Sequence, residues 1–317
     1  MSAGYSIPVL DLDDFLHGDE ERKSDFIRGV GSALREIGFF ALTRHQIPQE
    51  LIQKGYEVIK QLFALPEDIK KGYEIPGLKG QRGYTSFGRE HAKGSEAPDL
   101  KEFWHVGQEL RAGDPMAKVY PENVWPSELR EFQVAMVDLF KGLEKCALAV
   151  LEACALYMKE DRNLIRKMAV DGNSILRLIH YPPVPSDRHP KSLRAAAHED
   201  INLITLLIDA TTSGLELLDR DGNWIAVTTP KDCIIVDSGD MLQNLSNGFF
   251  KSTTHRVVNP DNSREARYSM PFFVHARGEV DLTPLPSFVS ATGGRRLFPE
   301  ITAEAYLMQR LKEIGLS

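Results

Sequence analysis

The apolar positions of this chain change their period about half-way along. Before residue 172 they mostly recur at three and four. Ile27, Val30, Leu34 and Ile37 form one such series, and Gly38 is its stop. Residues 49–65 form another. The longest begins after Pro126-Ser127, where Leu129, Phe132, Met136, Leu139, Leu143, Cys146 and Val150 predict one helix of roughly 28 residues with a buried stripe. Between these, "GFFALTRH" reads as a short strand.

From about residue 173 the runs are short and β-rich: "SILRLIHY", "LITLLID", "GLELLD", "WIAVT", "CIIVDSG", "THRVV" and "RYSMPFFVHA". "DRDGNW" and "SNG" read as hairpin turns between them. Such strands predict an antiparallel double sheet or barrel wrapped by the helices of the first half, an α+β organisation. We read residues 1–317 as a single catalytic domain: a mostly helical half (1–172), a β core (173–280), and a C-terminal segment (281–317) ending in a helix. Residues 75–100, "IPGLKGQRGYTSFGREHAKGSEAPDL", are rich in Gly and polar residues. A connection of that length is expected to be functional, here a lid.

Composition narrows the classes. The chain is 42% hydrophobic and 26% charged, with net charge -7. That argues against a general nucleic-acid or anionic-membrane surface. No run of apolar residues is long enough to span a bilayer. "MSAGYSIPVLDLDDF" lacks a basic segment followed by an apolar core, so no secretory leader is expected. Cys146, Cys154 and Cys233 are odd in number and scattered, which fits free thiols in a reducing cytoplasm. We expect a monomer acting on a small molecule, with an oligomer left open.

The candidate chemistry lies in the β-rich half. In an extended backbone, His198 and Asp200 of "AAHEDINLITLL" share one face. His255 opens the β-branched run "THRVV". Two imidazoles and a carboxylate suit a six-coordinate Fe(II) with three positions left open. Taken alone, His-x-Asp is also an ordinary loop pattern. Arg267 and Ser269 of "RYSM" are two apart and share a face in a strand. A guanidinium fork and a hydroxyl suit the carboxylate of a co-substrate; the other reading is an Arg paired with a protein acid at a strand end. Arg177, Ile179 and Tyr181 also share a face, and Tyr181 is placed to donate to the same bound acid.

In this order and spacing the residues resemble the isopenicillin N synthase-like branch of the Fe(II)- and 2-oxoglutarate-dependent dioxygenases. The likeness rests on His198-x-Asp200, His255 and Arg267-x-Ser269. It extends through "IPVLDL", "GFFALTRHQIP", "LRLIHYPP", "GDMLQNLSNGFFKSTTHRV" and "ITAEAYLMQRLKEIGL", nearly the whole chain. It implies a jelly-roll core, or double-stranded β-helix, flanked by helices, with the helix at 127–155 as backing. It implies that His198, Asp200 and His255 bind iron and that Arg267, Ser269 and Tyr181 bind 2-oxoglutarate. The implied activity uses O2 to hydroxylate, desaturate or cyclise a small molecule, with formation of succinate and CO2. The resemblance leaves open a 2-oxoglutarate-independent oxidase of the isopenicillin N synthase type, ethylene-forming fragmentation of 2-oxoglutarate, and a non-catalytic binding protein on the same fold. One position departs. Many relatives carry Asn two residues before the strand-end Tyr, where this chain has Ile179.

For the primary substrate, large side chains near the lid and the β core are the candidates: Arg82, Tyr84, Phe87, Phe103, Trp104 and Phe273. His275 reads as a rim residue.

Overall fold

Two sheets face each other, and the chain of the second half passes back and forth between them. The computed structural model describes residues 5–78, 80–89, 99–110, 113–183, 193–208, 214–259 and 265–313. In chain order the first half holds β1 (Tyr5–Ser6), β2 (Val9–Asp11), α1 (Leu12–His17), α2 (Glu20–Glu36), β3 (Phe39–Thr43), α3 (Gln49–Phe63), α4 (Glu67–Lys71), β4 (Gly83–Thr85), β5 (Glu102–Gly107), α5 (Phe132–Tyr157) and α6 (Leu164–Ala169). The second half holds β6 (Ile175–Tyr181), β7 (Ala195–His198), β8 (Ile204–Ile208), β9 (Leu215–Leu218), β10 (Trp224–Thr228), β11 (Ile234–Ser238), α7 (Asp240–Leu245), β12 (His255–Val257), β13 (Arg267–Val274), α8 (Pro286–Ala291) and α9 (Ala303–Glu313).

The large sheet runs β2-β3-β11-β8-β13-β6-β5-β4 and the small one β1-β10-β9-β12-β7. Strands β6, β8, β11 and β13 lie in the first, and β7, β9, β10 and β12 in the second. This is the jelly-roll core expected from the resemblance. The first half is less purely helical than its pattern suggests. It adds β2 and β3 to one edge of the large sheet and β4 and β5 to the other. Strand β5, "EFWHVG", is buried along its whole length. A strand covered on both faces shows no polar alternation for a sequence to reveal.

The long helix begins at Phe132 rather than beside Pro126, because residues 127–131 form turns. Its buried stripe, including Met136, Leu139, Leu143, Cys146 and Val150, backs the large sheet. There Phe140 meets Phe272 edge-on, with ring centroids 4.9 Å apart. Helix α2 packs so closely on α5 that a Cβ at Gly31 would stand 2.1 Å from the Tyr157 ring. One core cluster therefore runs from Leu12 to Ala303 and joins both halves.

Of the two hairpin signals, "DRDGNW" is one. Asp219 Oδ1 accepts from the Asp221 and Asn223 amides between β9 and β10. "SNG" is not. It ends α7, with Asn247 and Gly248 at φ 53° and 78°, and the Gly248 amide donates back to the Gln243 carbonyl. A left-handed Asn-Gly pair closes a helix as readily as it turns a hairpin.

Candidate metal centre

Antiparallel pairing of β7 with β12 sets His198 directly opposite His255. Their ring centroids are 4.5 Å apart. Asp200 follows two residues after β7, and its Oδ1 lies 3.8 Å from Nε2 of each ring. All three candidate ligand atoms fall within 4.8 Å of one another. Each ring is oriented from behind. His198 Nδ1 is 2.7 Å from the Ala196 carbonyl oxygen, and His255 Nδ1 is 3.1 Å from that of Thr253. A carbonyl only accepts, so each Nδ1 carries the proton and each Nε2 turns a lone pair to the centre. Burial first, and next the repulsion that a proton here would meet from one on His255, pull the His198 pKa down and favour its neutral form.

The carboxylate is held as firmly. Asn202 Nδ2 donates to Thr205 Oγ1 at 3.0 Å, which leaves the Thr205 hydroxyl proton for Asp200 Oδ2. Asp200 Oδ1 then faces two imidazole lone pairs. Three acceptors converge on one point, with Asp200 and His255 each 8% exposed and His198 half-buried at the cavity side. Such an arrangement is unfavourable unless a cation sits among them. Two neutral nitrogens and one anionic oxygen, with no thiolate, suit a divalent ion that keeps open positions.

The centre opens into a cavity of about 600 Å³, mouth included, between the two sheets. Cross-strand register orders its wall. Phe273, Thr205 and Asp237 form one row beside the triad; Pro271, Leu207 and Ile235 form the next. Arg267 pairs with Tyr181 and Ser269 with Ile179 at the far end of β13. Arg267 is 2% exposed; its guanidinium carbon lies 5.1 Å from the Tyr181 ring centroid, and Nη1 is 3.4 Å from Ser269 Oγ. All of these residues line the cavity, as do Arg177 and Lys101. Burial, then the neighbouring Asp200 charge, push the Asp237 carboxyl well above the ordinary carboxylate range.

Most expected substrate contacts lie elsewhere. Tyr84 pairs with Trp104 across β4 and β5, and both face the helices. The Tyr84 hydroxyl donates to Glu102, which also holds Lys70 Nζ and His180 Nδ1 at 2.7 Å each. Trp104 meets Phe132 and Tyr73 in the core. Arg82, 1% exposed, lies across Gly107 and donates to the Gln81 carbonyl and to Asn173 Oδ1. Phe87 is exposed and outside the cavity lining. Strand phase explains the correction: even-numbered residues of β5 point to the helices, odd-numbered ones to the cavity. Phe103 is on the cavity face, packed with Ile179 and Tyr181 just behind the lining. Phe273 lines the cavity itself. His275 is buried rather than at a rim, with Nδ1 3.3 Å from the Phe273 carbonyl oxygen. Of the expected lid, residues 79 and 90–98 lie outside the described residues.

Missed by the sequence were Lys101, Thr205 and Asp237, while Arg177 was noted only for the face it shares. Their roles follow from neighbours on other strands, and only the register supplies those.

Residues 7–128 match the family model of the non-haem dioxygenase N-terminal region named for morphine synthesis, and residues 172–276 that of the 2OG-Fe(II) oxygenase superfamily. The 2-oxoglutarate-Fe(II) type oxidoreductase hxnY of Emericella nidulans is 30% identical over 306 residues, 94% of this chain and 87% of its own. The chain belongs to the isopenicillin N synthase-like family of Fe(II)- and 2-oxoglutarate-dependent oxygenases. Two solved structures agree with that membership. A Caulobacter crescentus protein assigned to the 2OG-Fe(II) oxygenase family superposes with TM-score 0.87 at 39% identity, over 98% of this chain and 100% of that one. A full-length Neurospora crassa protein, solved in complex with alpha-KG and thymine, superposes with TM-score 0.86 at 30% identity, over 96% of each. This oxygenase is therefore an oxidoreductase that uses Fe(II), 2-oxoglutarate and O2 on a small-molecule substrate, with succinate and CO2 as co-products.

Proposed function

We propose that His198 and His255 through Nε2, and Asp200 through Oδ1, hold the Fe(II), and that Arg267, Ser269 and Tyr181 take the distal carboxylate of 2-oxoglutarate. The observation that carries the metal assignment is the convergence of three acceptors, two of them buried, on one point. Bound iron supplies the redox chemistry that couples decarboxylation of 2-oxoglutarate to oxidation of a C–H bond.

The protein's own residues do the rest. The carbonyls of Ala196 and Thr253 hold the Nδ1 protons, and Thr205 leaves Asp200 Oδ1 free for the ion. Buried Arg267 presents a planar fork to a carboxylate, with Ser269 beside it. Ile179 offers no polar atom at this end, so orientation falls to Arg267, Ser269 and Tyr181. The apolar wall of Phe39, Leu207, Leu215, Ile235 and Phe273 sheds water from around the reacting atoms. Phe273, in the row beside the triad, is the proposed apolar contact for the primary substrate.

Three free, buried cysteines support a reducing, cytoplasmic setting.

The test is anaerobic titration with Fe(II) and 2-oxoglutarate, followed by succinate release in air. His255→Ala is expected to lose both metal and succinate. Arg267→Lys is expected to keep the metal and weaken 2-oxoglutarate roughly ten- to a hundredfold, since lysine lacks the fork. Full iron occupancy in the His255 variant defeats the ligand assignment.

A further inference from the structure

We infer that Arg194, a buried cation behind the Arg267 end of the cavity, makes this oxygenase select a dicarboxylate co-substrate by adding a second positive charge to that end. The inference rests on the assignment of the Arg267 end to 2-oxoglutarate.

The first argument is place. Arg194 stands at the entry to β7, in the small sheet. The next residue, Ala195, lines the cavity and is the register partner of Val257, which lines it too. From there the Arg194 side chain crosses to the large sheet, where Nη2 donates to the Glu265 carbonyl at 2.6 Å. Glu265 is two residues ahead of Arg267, which opens β13 opposite Tyr181. Arg194 therefore bridges the sheets at the end of the cavity where Arg267 and Tyr181 meet. It is 1% exposed and is not among the lining residues, so it acts on a ligand through its charge and not by contact.

The second argument is what Arg194 lacks. Its Nε and Nη1 are buried and have no hydrogen-bond partner among the described residues. Its one hydrogen bond goes to a neutral carbonyl, and no described carboxylate forms an ion pair with it. Other buried cations of this chain are neutralised: Lys70 has Glu102, and Lys101 has Asp99. A guanidinium stays charged inside a protein and is costly to bury without a counter-anion. Burial first, and then the Arg267 charge, pull the Arg194 pKa down, which marks the two guanidiniums as neighbours. Two like charges thus stand together at one end of the cavity, and an anion docked on Arg267 is attracted by both.

The third argument is chemistry. The distal carboxylate is what separates 2-oxoglutarate from other 2-oxo acids, whose metal-facing ends are the same. Hydrogen bonds from Arg267 and Ser269 read the shape of that carboxylate. A second charge in a buried surround adds an attraction that an uncharged chain end cannot collect. Arg194 is a positioning residue in this sense: it touches no ligand and sets the potential in which Arg267 works. Its burial is unfavourable before the ligand arrives, so its charge serves binding and not the ligand-free fold. A residue kept only for packing would show the reverse: its loss would harm the fold and leave the choice of 2-oxo acid alone.

The experiment uses the intact Fe(II)-loaded protein without O2, titrated by calorimetry with 2-oxoglutarate and with 2-oxovalerate. The second acid has the same carbon chain with a methyl in place of the distal carboxylate. Arg194→Met should weaken 2-oxoglutarate roughly tenfold, the effect of one unit charge at about 10 Å and an effective dielectric of about 20, and leave 2-oxovalerate at its wild-type affinity. Arg194→Lys, which restores the charge, should recover most of the loss. Metal-free Arg194→Met should resist urea at least as well as the wild type. Arg194→Gln is the second charge-free variant and carries the same expectations should the methionine variant not fold. Unchanged 2-oxoglutarate affinity in the charge-free variants, equal weakening of both acids, or an Arg194→Lys variant no better than Arg194→Met overturns the inference. So does a loss of urea stability with the ratio of the two affinities intact, which would give Arg194 to the fold alone. Failure of the underlying assignment looks different: 2-oxoglutarate then binds the Arg267→Lys variant as tightly as the wild type.

Discussion

At the scale of single residues, the triad was legible because residue type and strand period point the same way. His198 and Asp200 two apart, and a His opening a β-branched run, need no partner to be noticed. Thr205 was invisible for the opposite reason. A threonine in "LITLLID" reads as strand filler until folding brings it to Asp200. Its effect is nonetheless measurable. Thr205→Val keeps the shape and removes the donor, leaving Asp200 Oδ2 buried without its hydrogen bond. Groups that orient a metal-bound carboxylate typically matter roughly ten- to a hundredfold in metal affinity. We expect that loss for Co(II) or Fe(II) titrated into the variant, with the far-ultraviolet spectrum of the fold intact. Unchanged affinity would mean that the Asn202–Thr205–Asp200 chain serves folding alone.

At the scale of elements, long periodic segments such as α2, α3 and α5 could be read, and short or fully buried ones could not. Strand β5 hides its phase because both faces are covered, so the sequence alone cannot separate Trp104 on the helix side from Phe103 on the cavity side. Helix α7 has only six residues and ends in a pair that imitates a hairpin. The phase of β5 has a testable consequence at Glu102. Its carboxylate ties β5 to α4 through Lys70, to β4 through Tyr84 and to β6 through His180. Tyr84→Phe removes one donor from a buried, charged acceptor, at a cost of about 1–3 kcal/mol. We expect that loss in urea unfolding, while the ratio of succinate to oxidised product stays at the wild-type value. A change in the ratio without a change in stability would return Tyr84 to the substrate side.

At the scale of the whole molecule, both halves share one core and the cavity is framed by the two sheets, so groups buried around it couple its integrity to pH. Burial pulls the His275 imidazole from 6.5 down to about 4. In the unfolded chain this ring takes up a proton below about 6.5, while in the fold it stays neutral until about 4. Unfolding therefore gains protons in that window, and stability falls as pH drops from about 6.5 to 4. Glu102 acts at lower pH. Burial raises its pKa, but the hydrogen bonds from His180, Lys70 and Tyr84 prevail and hold it below the ordinary glutamate value of 4.5. Its contribution is complete above that value and is lost as pH falls through the folded-state pKa. The two groups thus act in sequence, His275 first. Between pH 7 and pH 5 the His275 shift is worth about 2 kcal/mol of unfolding free energy. The pH 7 to pH 5 difference in urea-unfolding free energy of metal-free protein should therefore shrink by about that amount in His275→Gln and stay nearly whole in Glu102→Gln. A His275→Gln variant that loses as much stability on acidification as the wild type would show that the acid sensitivity arises elsewhere.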